Sequence, residues 1–177
     1  MIKRTSESTL NQGLAVALGA VAGALATAFG AYLTAQTSEK IQKKQARRDA
    51  YASFLHEVAA FKNHLHTLER FLSSQGVSRS REEMTEAEEK ARELSPHLAS
   101  LQRQTITTSL AGPDRLASYA KSITLSLAQI YAALESKAAE NAHDSGKDLA
   151  RMQRINALHT KVTRDAEEFE GYARGQL

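Results

Sequence analysis

Cysteine and tryptophan are both missing from the 177 residues. The first absence removes disulfide staples, thiolate metal sites and cysteine nucleophiles together, and it fits a reducing compartment. Proline occurs only twice and glycine nine times, so little in the chain interrupts a helix. Neither sign of charge dominates: 23 Lys and Arg stand against 20 Asp and Glu, a net charge of +3, which demands no nucleic-acid partner. The sequence carries no Gly-rich phosphate loop, no nucleophile elbow and no paired zinc-ligand spacing. No segment alternates with the period of two that marks a half-buried strand. What is abundant is Ala, Leu, Glu, Lys, Arg and Gln, the residues that lose least on entering a helix. An all-α fold is expected, in a length that suits one domain plus an appendage.

The appendage is the N-terminal run from Leu14 to Leu33, LAVALGAVAGALATAFGAYL, which is free of charge and close to the ~20 residues a helix needs to cross a hydrocarbon core. We read 14–35 as a transmembrane helix after a short segment 1–13, with Tyr32 at the interface level. Lys40, Lys43, Lys44, Arg47 and Arg48 follow it. Cations at such a flank are retained inside and sit beside anionic headgroups. The expected topology is therefore single-pass in a bacterial plasma membrane, with the N-terminus outside, a basic juxtamembrane helix over 36–50, and 51–177 as a cytoplasmic bundle. Ala15, Gly19, Gly23, Thr27 and Ala31 recur every four residues and form a small-residue stripe through which two such helices approach closely in lipid. The rival reading is a signal peptide, with Lys3 and Arg4 before an apolar stretch and Ala26-Thr27-Ala28 as a cleavage pattern.

Beyond the basic flank the apolar residues step by three and four. Tyr51, Phe54, Val58, Phe61, Leu65, Leu68 and Leu72 form one seam, and without Pro or Gly between Thr37 and Arg48 the preceding helix is expected to run straight into it. Gly76 is the expected breaker. A second helix opens at Ser80, whose spacing to Glu83 suits a capping box, with the seam Met84, Ala87, Ala91, Leu94, Leu98, Leu101 and Thr105. Pro96 predicts either a kink or a restart capped by Ser95, and the unbroken register favours the kink. Gly112-Pro113-Asp114 opens a third helix with Leu116, Ala120, Ile123, Leu127, Ile130 and Leu134 inward. The turn Asn141 to Gly146 leads, with Asp144 or Ser145 as cap, to a fourth presenting Leu149, Met152, Ile155, Leu158, Val162, Ala166 and Phe169, fraying at Gly171 and Gly175. Four amphipathic helices on short turns predict an up-down four-helix bundle.

Chemistry is sparse. The best metal candidates are His56, Glu57, His64, His66 and Glu69, but none lies on an inward seam, and His64 and His66 point to different faces. They read as surface histidines, so no metal, cofactor or catalytic residue is assigned. His143, Asp144 and Ser145 read as turn and cap. The acidic run Glu82, Glu83, Glu86, Glu88 and Glu89 reads as a solvated face suited to a helix N-terminus.

The stretch GAVAGALATAFGAYLTAQ followed by KKQARRDAYASFLHEV resembles a widespread class of small bacterial single-pass membrane proteins. These have a Gly/Ala-rich helix, a basic stretch and a helix opening Arg-Arg-x-Ala-Tyr-x-x-Phe-Leu. The matching residues are Arg47, Arg48, Ala50, Tyr51, Phe54 and Leu55, about the first third of the chain. The resemblance implies a helical cytoplasmic domain and brings no activity. A likeness to YtxH-like stress-associated membrane proteins stops at the junction, where Thr34 to Ser38 replace their Ala-Pro-x-Ser-Gly. The expected function is a membrane-anchored helical interaction protein that self-associates, with lipid and an unidentified protein as partners and no nucleic acid. The alternatives are a secreted or cell-surface domain released near Ala28 and a metal-binding bundle.

Overall fold

A computed structural model describes residues 5–74, 80–140 and 145–176, with side chains for 34, 37–74, 80–140 and 146–176. Every regular element among the described residues is helical: α1 (Thr5–Ser74), α2 (Arg81–Glu93), α3 (Ser95–Ala111), α4 (Asp114–Ala138) and α5 (Ser145–Gly175). The chain divides into two compact units, Met1–Gln45 and Ala46–Leu177. In the first, α1 carries an ion pair between Lys43 and Glu39 at 2.5 Å, one helical turn apart. The side chains of Leu14 to Leu33 lie outside the described residues, so the transmembrane expectation for 14–35 does too. Among the described residues no helix is long and apolar enough to cross a membrane.

The second unit is a bundle of four rods, α2 and α3 together making one of them. Its direction is fixed by which side chains meet. Tyr51 and Phe54 of α1 pack on Phe169 of α5, and Lys62 reaches Thr163, so α1 and α5 are antiparallel. Phe71 lies under Lys90 of α2 while the Ala50 carbonyl accepts from Thr108 of α3, which makes the α2–α3 rod antiparallel to α1. Thr105 meets Thr124 of α4, and Glu140 at the end of α4 meets Arg151 near the start of α5. Up, down, up, down follows.

The heptad seams are the core. All seven expected residues of α1 and all six of α4 are buried, and Phe54, Phe61 and Phe169 are fully so, each favouring the folded state by roughly 1.5 to 3 kcal/mol through area removed from water. The Ser80 capping box forms: Glu83 N–H donates to Ser80 Oγ at 3.2 Å, and Ser80 N–H to the Glu83 carboxylate at 2.7 Å. At Pro96 the rod breaks and restarts, α2 ending at Glu93 and α3 opening at Ser95, in place of the expected kink in one helix, and the backbone stays right-handed helical at Leu94, with φ −79° and ψ −18°. Leu94 N–H steps to the Ala91 carbonyl at 3.2 Å, and Leu98 N–H returns to Leu94 at 3.0 Å. Leu94, not Ser95, takes the cap position, and no side chain closes it.

Two further expectations need correction, both on α5. Leu149 and Met152 face solvent, 63% and 36% exposed. The inward positions of that first turn belong to Asp148 and Arg151, whose side chains are 15% and 14% exposed and paired at 3.2 Å, with Arg151 also 2.5 Å from Glu140. The helix also does not fray at Gly171, because Ala173 is buried in the core and the Tyr172 ring lies under the Arg115 guanidinium, 5.0 Å from its centroid. Gly76 and Asp144 lie outside the described residues.

Candidate functional site

The antiparallel register that pairs Lys62 with Thr163 carries four residues further along each helix to His66 and His159. Glu69 stands one turn beyond His66 on α1, so helical periodicity places both on the face that α5 approaches. The Glu69 carboxylate bridges two imidazoles: one oxygen lies 2.7 Å from His159 Nε2, the other 3.0 Å from His66 Nδ1. The two rings stack with centroids 4.8 Å apart and planes within 9°. One ligand-type atom from each of the three residues lies within 4.8 Å of the others. Burial pushes the Glu69 carboxyl up, but the hydrogen bonds and charges of His159 and then His66 outweigh it and hold the group below the usual carboxylate range. His66 is about half exposed, while His159 and Glu69 are largely covered.

Above this cluster runs an open groove of about 490 Å³ lined by Lys62, His66, His159, Thr160, Thr163, Arg164 and Glu167. Its cations are engaged: Lys62 donates to Thr163 Oγ1 at 3.3 Å, and Arg164 to Asp165 at 3.2 Å. His159 Nδ1 is buried with no hydrogen-bond partner.

A second polar cluster joins α4 to α5. Asp165 accepts from Ser122 Oγ at 2.7 Å and from Lys161 Nζ at 3.0 Å, and Lys161 also donates to Ser122 and Ser126. Burial raises the Asp165 carboxyl, yet the hydrogen bonds from Ser122, Lys161 and Arg164 prevail and lower it. Its acceptors are satisfied within the bundle, so it ties two rods and offers nothing to a ligand.

The residues singled out from the sequence fall apart differently. Ala15, Gly19, Gly23 and Thr27 lie on α1 with side chains outside the described residues. Lys40, Lys43, Lys44 and Arg48 are exposed and Arg47 is partly covered. His56 is exposed and apart from the cluster; His64 stacks instead on His97 of α3 at 4.2 Å. His143 lies outside the described residues. Sequence reasoning missed His159, which follows a seam leucine and has no ligand spacing of its own. The signal that finds it is the interhelix register, which needs the topology first. Comparison with protein-family models, curated proteins and solved structures finds no match to the chain.

Proposed function

We propose that the chain is a non-enzymatic, membrane-anchored helical interaction protein. It holds its bundle at the cytoplasmic face of a bacterial plasma membrane and self-associates through its N-terminal helix. The observation that carries this reading is the uncharged run from Leu14 to Leu33 with a cluster of cations just after it. Lipid is the solvent in which so long an uncharged Ala/Gly/Leu segment is stable as a helix. Lys40, Lys43, Lys44, Arg47 and Arg48 follow at helical spacing within an arc of about 140°, a basic face suited to anionic headgroups. Ile106 and Leu110, one turn apart on α3, are exposed apolar residues of the kind a protein partner covers.

Fractionation tests the anchor. The intact protein is expected in the membrane pellet, released by detergent and not by salt, with residues beyond Arg48 protected from protease added to whole cells. Recovery in the supernatant without detergent, digestion beyond Arg48, or a mature N-terminus at Phe29 overturns it. Self-association is tested by crosslinking in proteoliposomes, where Gly19→Ile with Gly23→Ile is expected to abolish the dimer. A protein that is monomeric before the substitutions removes that part of the reading.

A further inference from the structure

We propose that His66, Glu69 and His159 form a binding site for a divalent transition-metal cation of the zinc class, held between α1 and α5 at the floor of the open groove. The donor set is two imidazole nitrogens and one carboxylate oxygen, which suits zinc, nickel, cobalt or copper and not the all-oxygen preference of calcium or magnesium. Three protein ligands leave coordination positions for water, and the groove lets that water in.

Preassembly is partial. With zinc–ligand bonds of about 2.0 to 2.1 Å, ligand atoms in a tetrahedral site stand about 3.3 Å apart. His159 and His66 stand at 2.7 and 3.0 Å from the two oxygens of Glu69, and one ligand atom from each of the three residues lies within 4.8 Å of the others, so an ion entering between them parts the carboxylate from the rings by a few tenths of an ångström and gathers the three onto one point. One ring must also turn. Imidazole lone pairs lie in the ring plane, and two planes within 9° of each other cannot both aim at a common point between them. His66, with 52% of its side chain exposed, is the ring that turns; His159 and Glu69, at 15% and 16%, stay fixed by packing. The Glu69 carboxylate, 2.7 Å away, accepts the proton of His159 Nε2 while no metal is bound. A metal at Nε2 displaces that proton, and Nδ1, which has no other partner, is then the nitrogen left to carry one.

The charges facing the cluster oppose and support it together. Lys62 and Arg164 line the groove and repel a cation, but Lys62 is turned to Thr163 and Arg164 to Asp165. Glu167 on the same groove offsets one of them. Metal displaces protons from the ligands, so affinity falls in acid.

The test uses the detergent-solubilised full chain titrated with zinc chloride by calorimetry and with cobalt(II) chloride by visible absorption. A single saturable ion per chain is expected. Glu69→Gln and His159→Gln each weaken it at least tenfold, on the scale a lost ligand costs, with helicity checked by circular dichroism. His66→Ala, at the exposed ligand, has the same effect without touching the core and serves if either covered variant misfolds. His64→Ala with His97→Ala leaves affinity unchanged. The proposal is overturned by the absence of stoichiometric binding, by unchanged binding in the ligand variants, by loss in the His64 and His97 pair, or by a cluster that responds to pH alone. None of these outcomes depends on where the protein resides in the cell, so the membrane reading stands or falls separately.

Discussion

The Tyr51 hydroxyl occupies the space where a side chain at Gly112 would begin: a Cβ on Gly112 would lie 2.7 Å from Tyr51 Oη and 3.3 Å from Cε1. Gly112 has φ −116° and ψ 172°, an extended conformation open to any residue, so what this position requires is room. The phenol itself is buried without a hydrogen-bond partner. Burial pushes the phenol's pKa up and so disfavours its ionisation, against a smaller lowering by Arg47.

Gly112→Ala is therefore expected to destabilise the bundle by about 1 to 3 kcal/mol, as overpacking does. Tyr51→Phe removes an unsatisfied buried hydroxyl and is expected to be neutral or stabilising by up to about 1 kcal/mol. In the Tyr51→Phe background Gly112→Ala costs less, because the nearest atom is gone. Urea titrations of the four proteins give the coupling energy; strict additivity refutes the steric account.

Where heptad spacing had one possible phase, the sequence was sufficient. The α1 seam from Tyr51 to Leu72 and the α4 seam from Leu116 to Leu134 are buried as spaced. On α5 two phases share Ile155, one through Leu149 and Met152, the other through Asp148 and Arg151. Hydropathy selects the first, and the structure takes the second, because Asp148 and Glu140 neutralise Arg151 and let its methylenes cover the bundle end. Pairing between helices is invisible to periodicity, which is also why Glu69 and His66 read as surface groups until α5 brings His159 to them. An interruption at Pro96 was legible, since a missing N–H is a local property, but register favoured a kink where the chain instead restarts at Ser95.

The phase on α5 is testable directly. Ile155 is buried and Leu149 exposed, so Ile155→Ala is expected to cost about 2 to 5 kcal/mol and Leu149→Ser less than about 0.5 kcal/mol. Thermal melts distinguish them. A large loss from Leu149→Ser would restore the alternative phase.

Asp165 gives a pH signature. Its folded carboxyl titrates below the ordinary value of 3.8, so its contribution is fully present above that value and is lost as pH falls through the folded one. Asp165→Asn is expected to destabilise by about 1 to 3 kcal/mol at neutral pH, since Lys161 and Ser122 lose a charged acceptor. The gap between the two proteins holds steady down to about pH 5 and narrows below about pH 4. A gap that widens on acidification contradicts the assigned direction.

Thr105 and Thr124 make a buried polar contact between rods, with their hydroxyl oxygens 2.6 Å apart. A hydroxyl has one proton, and Thr105 donates its own to the Leu101 carbonyl at 2.8 Å, so Thr124 is the donor between the pair. Thr105→Val then leaves the Thr124 proton without its acceptor and is expected to cost about 1 to 3 kcal/mol, the range for a buried group stripped of its partner. Thr124→Val removes a donor and leaves Thr105 bonded to Leu101, so it costs less. The double substitution recovers most of the loss because both polar atoms are gone. This asymmetry between the single variants, read from chemical denaturation, identifies the direction of the hydrogen bond; equal losses would mean that Thr105 does not commit its proton to its own helix.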